Sequence, residues 1–160
     1  MIASTQTMPV QRASVTDALA RLLADTYTLY LKTHGYHWNV TGPQFRSLHL
    51  MFEEQYLEMR DAVDEIAERI RALGPLAPGS YREMGRLASV TDEEGAPVAM
   101  EMVRRLIEGH ETLVRAAQAV VKAAEEAQDA ASLDLATRRI AVHEKALWML
   151  RATVQPAGSS

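Results

Sequence analysis

Apolar side chains recur every three or four positions through most of this chain, the spacing of helices that bury one face. The first such stretch carries Leu19, Leu22, Leu23, Thr26, Tyr27, Tyr30 and Leu31. Ser14-Val-Thr-Asp17 has the form of a capping box and predicts its start. Thr41-Gly-Pro43 predicts its end. A second helix is predicted over Gln44–Leu73, from Leu48, Phe52, Tyr56, Met59, Val63, Ile66, Ile70 and Leu73, stopped by Gly74-Pro75. Residues 74–95 hold Gly74, Gly79, Gly85 and Gly95 and form a long connection, with a short helix over Ser80–Leu87. A third long helix is predicted from near Pro97 to about Gln128, a break over Asp129–Ser132, and a fourth helix to Val154. The expected fold is an all-α four-helix bundle in one domain, residues 14–154. A flexible N-terminal tail, 1–13, and a C-terminal tail, 155–160, flank it. The long connection lets the second and third helices run parallel.

Composition supports that outline. Hydrophobic residues make up 48% and aromatics 6% of 160 residues, enough for one proper core. No apolar run approaches the roughly 18 residues of a membrane span. Met1–Pro9 has neither a basic nor an apolar signal region, so a cytoplasmic protein is expected. The absence of cysteine removes disulfides and thiolate ligands. A net charge of −4, with lysine only at 32, 122 and 145, argues against general nucleic-acid affinity.

The second helix carries the chemistry. His37-Trp38-Asn39 lies twelve residues before His49, and Glu53, Asp64 and Glu68 follow. At 3.6 residues per turn, His49, Glu53, Asp64 and Glu68 share a stripe roughly 100° wide. Imidazoles with carboxylates suit iron, zinc or manganese. Yet His49 and Asp64 are about 22 Å apart along the axis, at 1.5 Å per residue, so one chain cannot close the set around one ion. A two-fold axis can. The pairs 49/68 and 53/64 are both centred between residues 58 and 59. Two antiparallel copies crossing there would face His49 with Glu68 and Glu53 with Asp64, and an isologous contact makes both half-and-half sites at once.

Blander readings stand beside this one. Asp64 and Glu68 could pair with Arg60, Arg69 or Arg71 along the helix. The histidines and carboxylates could instead make metal-free interface hydrogen bonds in a purely structural dimer, although burying such groups without a metal is costly. His110 and His143 have no identifiable partner at ligand spacing, and no Glu-x-x-His motif marks a di-metal site inside the bundle.

Residues His37-Trp-Asn-Val40, Gly42, Phe45, Leu48-His49, Phe52, Glu53 and Asp64-Glu-Ile-Ala-Glu-Arg69 resemble the signature of the Dps family, the miniferritins. The likeness is dense over residues 27–74. It implies a ferritin-like bundle assembled into a hollow shell of twelve subunits, a homo-oligomer built from two-fold dimers. It further implies two iron ions per dimer-interface site, iron(II) oxidised preferentially by hydrogen peroxide, and ferric mineral stored inside, protecting DNA. Zinc or manganese are the expected substitutes for iron. Carried over by position, His37, His49 and Glu53 would come from one subunit, and Asp64 and Glu68 from its partner, as the catalytic and metal-binding set. The family more often has Asp where this chain has Glu53, which lengthens one ligand and bears on the second iron position. Trp38 would lie near the iron, either to absorb stray oxidising equivalents or simply to pack between subunits.

Glu54, Glu58 and Glu65 are the candidates this resemblance offers for an acidic inner wall, and Asp129 and Asp134 for an acidic pore. The alternative function is a non-specific DNA-binding nucleoid protein with little ferroxidase activity. Family members that compact DNA do so through lysine-rich tails. Here residues 1–13 supply only Arg12, 155–160 supply no base, and twelvefold assembly multiplies a negative charge.

Overall fold

A computed structural model describes residues 9–159 and is all helical over them. Five helices follow one another: α1 (Pro9–Asn39), α2 (Phe45–Leu73), α3 (Tyr81–Leu87), α4 (Ala99–Ala127) and α5 (Ala130–Val154). α1 pairs with α2 and α4 with α5 as two antiparallel hairpins, α1 packs on α4, and α2 meets α5 only sparsely. The short α3 lies in the crossover, against α1.

Most predicted boundaries hold to within two residues, and two do not. α1 begins at Pro9 rather than Ser14. No breaker separates the two positions, and proline with its missing N–H is well suited to a first turn. Ser14 and Asp17 therefore sit within the helix, and part of the expected tail is helical. The expected break at 129–132 shrinks to Gln128 and Asp129. Gln128 adopts a left-handed conformation (φ 52°) and Asp129 caps α5 by accepting from the Ser132 amide. The short helix expected over Ser80–Leu87 forms as α3, and Ser80 caps it: its hydroxyl accepts from Glu83 N, while Glu83 accepts from Gly79 N.

Leu19, Leu22, Leu23, Leu48, Phe52, Met59, Ile66 and Ile70 are fully buried, each side chain stabilising the fold by roughly 1.5–3 kcal/mol. Leu31 departs from the expected core and is 46% exposed. α4 contributes Met102, Leu106 and Leu113. Gly109 lets α4 ride close on α1, since a Cβ there would lie 2.4 Å from Leu29 Cδ1. The crossover is tied down by the buried Asp25 of α1, whose carboxylate accepts from the amides of Ser89 (2.5 Å) and Val90 (2.8 Å). A second tie joins the Tyr36 hydroxyl to Glu93, which also pairs with Arg105 of α4.

Candidate metal centre

The reversal between α1 and α2 builds the centre. Gly42 takes φ +106°, a conformation open to glycine, and Phe45 N donates to Gly42 O. The last turn of α1 is thereby laid against the first turns of α2. His37 and His49 meet with their rings stacked, centroids 3.7 Å apart and planes 14° from parallel.

Each ring is held by the other's backbone. His37 Nδ1 lies 2.8 Å from the carbonyl of His49, and His49 Nδ1 lies 2.7 Å from the carbonyl of His37. A carbonyl only accepts, so both Nδ1 atoms carry hydrogen, and Nε2 is the atom of each ring that can offer a lone pair to a metal. This is the outer-shell hydrogen bond that fixes tautomer and orientation in metal-binding histidines. His37 is buried, while Tyr56 meets it edge-on and Phe45 stacks on His49.

The acidic members are placed as their register requires. Glu53 is one turn beyond His49, half-buried; Asp64 and Glu68 lie further along α2, both exposed. Among the described residues, none of these three carboxylates has a salt-bridge partner within the chain. The arginines that could have taken them are engaged elsewhere. Arg60 pairs with Asp61, Arg71 donates to the carbonyls of Gly74 and Pro75, and Arg69 joins Asp129 and Ser132. Among the described residues, Asp64 and Glu68 thus make none of the helix-surface ion pairs with Arg60, Arg69 or Arg71 that the sequence allows. Among the described residues, no three His, Asp or Glu of one chain gather closely enough to hold a metal ion. One subunit offers two imidazoles and a carboxylate at one end of α2, and two more carboxylates further along the same stripe of the helix.

The wall and pore candidates are more committed. Glu58 pairs with Arg139 and Glu65 with Arg138, while Asp134 also pairs with Arg138. Asp129 is a helix cap and an Arg69 partner. Its burial works to raise its pKa, but Ser132 and Arg69 outweigh that and lower it. Around the centre, Trp38 is 60% exposed, and Phe45, Leu50 and Leu31 are exposed as well. Large apolar side chains grouped at a surface mark an interaction face.

Two features escaped the sequence. His34 stacks between Trp38 and Tyr56, each ring centroid 4.1 Å away, next to His37. Its place one turn before Trp38 was the available signal. His110 and His143, which show no partner at ligand spacing in the sequence, meet each other: their Nδ1 atoms are 2.9 Å apart in the core. Burial, with Arg139 second, lowers the His110 pKa to about 3, and burial, with His110 and Arg139, lowers that of His143. Both rings are neutral.

Comparison with known proteins agrees with this architecture. A ferritin-like domain model matches residues 16–157. An uncharacterized low temperature-induced protein of Nostoc sp. is 41% identical over 147 residues, covering 91% of this chain and 82% of the relative. A DNA protection during starvation protein of Brevibacillus brevis is 35% identical over 137 residues, covering 86% and 92%. Among solved structures, the Dps protein of Vibrio cholerae O1, described as one of the ferritin-like diiron-carboxylate proteins, superposes with TM-score 0.88 at 30% identity, covering 91% and 92%. The chain belongs to the ferritin-like family, in its Dps branch. No described helix is long and apolar enough to cross a membrane.

Proposed function

We propose that this protein is a ferroxidase and iron store, a cytoplasmic dodecamer whose sites form where two subunits meet across a two-fold axis. The observation that carries the reading is the reciprocal bonding of His37 and His49. It commits both Nδ1 atoms to the backbone and leaves both Nε2 atoms as the ring positions open to a metal, with the unpaired Glu53 one turn further along α2. Asp64 and Glu68 of a second copy complete the set, and the exposed Trp38, Phe45 and Leu50 supply apolar surface for the contact.

Iron(II) is the substrate. The chain's carboxylates stabilise Fe(III) more than Fe(II), so binding makes the metal easier to oxidise. Two iron(II) ions give up one electron each to one hydrogen peroxide. Its O–O bond breaks, and with two protons two waters form. Paired transfer avoids the hydroxyl radical of a one-electron step. His37 and His49 orient the ions, and the iron carries the redox chemistry. Removing iron and peroxide together fits the DNA protection named in the Brevibacillus relative.

The test is anaerobic loading of metal-free protein with Fe(II), followed by peroxide or by oxygen in parallel. Wild type is expected to form soluble ferric product quickly and faster with peroxide, and Asp64→Ala to lose that activity. Wild-type rates equal to those of a protein-free control would overturn the reading.

A further inference from the structure

Among the described residues, the buried side-chain atoms without a hydrogen-bond partner are His110 Nε2, both amide atoms of Gln55, and Arg139 Nε. Gln55 on α2 and Arg139 on α5 flank the sparse seam between those helices, and His110 reaches it from α4 behind. His110, 2% exposed, and Gln55 line one cavity of about 290 Å³ there, with Met51 and Met149 as apolar wall and the exposed Glu54 and Lys145. Neighbouring groups fix what His110 presents to this space. Arg139 Nη2 lies 3.2 Å from His143 Nε2, and a guanidinium only donates. His143 Nε2 therefore accepts, and the neutral ring carries hydrogen on Nδ1. That hydrogen is donated to His110 Nδ1, so neutral His110 carries its own hydrogen on Nε2. A buried N–H donor is left over at the cavity, and such a donor costs about 1–3 kcal/mol if nothing accepts from it.

This arrangement selects a ligand class. A metal ion is excluded, because the nitrogen at the cavity offers a hydrogen and no lone pair, and Arg139 holds the relay in that state. A charged ligand is disfavoured as well: Glu54 and Glu58 are offset by Lys145 and by Arg139, which pairs with Glu58. What remains is a small neutral molecule that accepts from His110 and exchanges hydrogen bonds with the Gln55 amide. We propose that the α2/α5 cavity is a binding site for a small neutral hydroxylic molecule, water or hydrogen peroxide. A water takes about 30 Å³ of liquid volume, so there is room. The site is separate from the metal centre: Gln55 lies about 200° around α2 from Glu53, at 100° per residue. The peroxide form rests on the proposed oxidant chemistry and gives each subunit a place to hold the oxidant away from iron.

The test is a crystal structure of the whole, chelator-treated protein, before and after a peroxide soak. An ordered oxygen is expected within about 2.7–3.2 Å of His110 Nε2 and in hydrogen-bond contact with Gln55. A single oxygen unchanged by the soak identifies water as the occupant; density lengthened to two atoms identifies peroxide. In solution, the ¹⁵N resonance of His110 Nε2 is expected to be that of a protonated nitrogen and to move on titration with peroxide if peroxide enters. A cavity without ordered oxygen overturns the proposal, as does a Gln55 amide turned to accept from His110 directly. No iron is present, so these outcomes are independent of ferroxidase activity. Oxygen at His110 with no peroxide-driven iron oxidation would leave this site standing and remove the proposed function.

Discussion

The chain makes two histidine pairs, and the same side chain does opposite work in them. His37 and His49 lie at a helix reversal and give their Nδ1 hydrogens to backbone carbonyls, which leaves Nε2 of each as the ring atom open to the proposed metal. His110 and His143 lie between α4 and α5 and bond each other through Nδ1, with Arg139 occupying the remaining lone pair. One pair presents acceptors and the other a donor. The lesson is that the group opposite the second ring nitrogen decides what a histidine can bind.

The largest expected effect comes from breaking the first pair. His37→Ala with His49→Ala removes two of the proposed ligands at once. Iron(II) affinity, followed by anaerobic titration, is expected to fall by more than the roughly 10–100-fold that loss of an outer-shell partner costs. Chain stability should change little by comparison. An unchanged iron titration would break the contrast between the pairs.

His143→Leu is the converse. It strands His110 Nδ1 and one Arg139 donor in the core, at a cost of about 3 kcal/mol. At fixed protein concentration the melting temperature of the assembled protein is expected to drop by roughly 6–12 °C, with iron(II) binding retained. A smaller drop would mean that the core pair is not a structural unit.

The third prediction concerns pH. The folded-state pKa of His110 is lowered from the ordinary 6.5 to about 3, so between these values the unfolded chain holds a proton that the folded chain does not. Stability is intact above pH 6.5 and falls as pH drops from 6.5 toward 3, by at most about 1.4 kcal/mol per pH unit for this group. His143 shifts in the same direction. Denaturation of wild type between pH 6.5 and 5, above most carboxylate titration, should show this slope. Its persistence in His110→Phe/His143→Phe would assign the slope to other groups.

Periodicity made the helices legible because each buries one continuous face: Leu48, Phe52, Met59, Ile66 and Ile70 were all recoverable from spacing. The α1 start was not, since Ser14 has the chemistry of a cap whether or not the helix continues upstream of it. The candidate set stood out because His49, Glu53, Asp64 and Glu68 share one stripe of one helix, and a single glycine turn lays His37 against His49. The structure adds what spacing lacks: the stacking of His37 on His49, and the engagement of Arg60, Arg69 and Arg71 away from Asp64 and Glu68. The His110–His143 pair joins positions 33 residues apart on different helices. No local period encodes that meeting; it follows from how the α4–α5 hairpin is packed.

Asp25 gives the fold an order in time. Each hairpin closes through short-range contacts, the kind that form early, whereas Asp25 reaches 64 residues along the chain to the Ser89 amide. That clasp can shut only once the crossover lies against α1. Refolding of Asp25→Leu is accordingly expected to keep its early helical signal and to slow in its last phase, followed by far-UV circular dichroism and by protection of the crossover amides. The settling of the crossover on α1 is thus timed by one buried carboxylate.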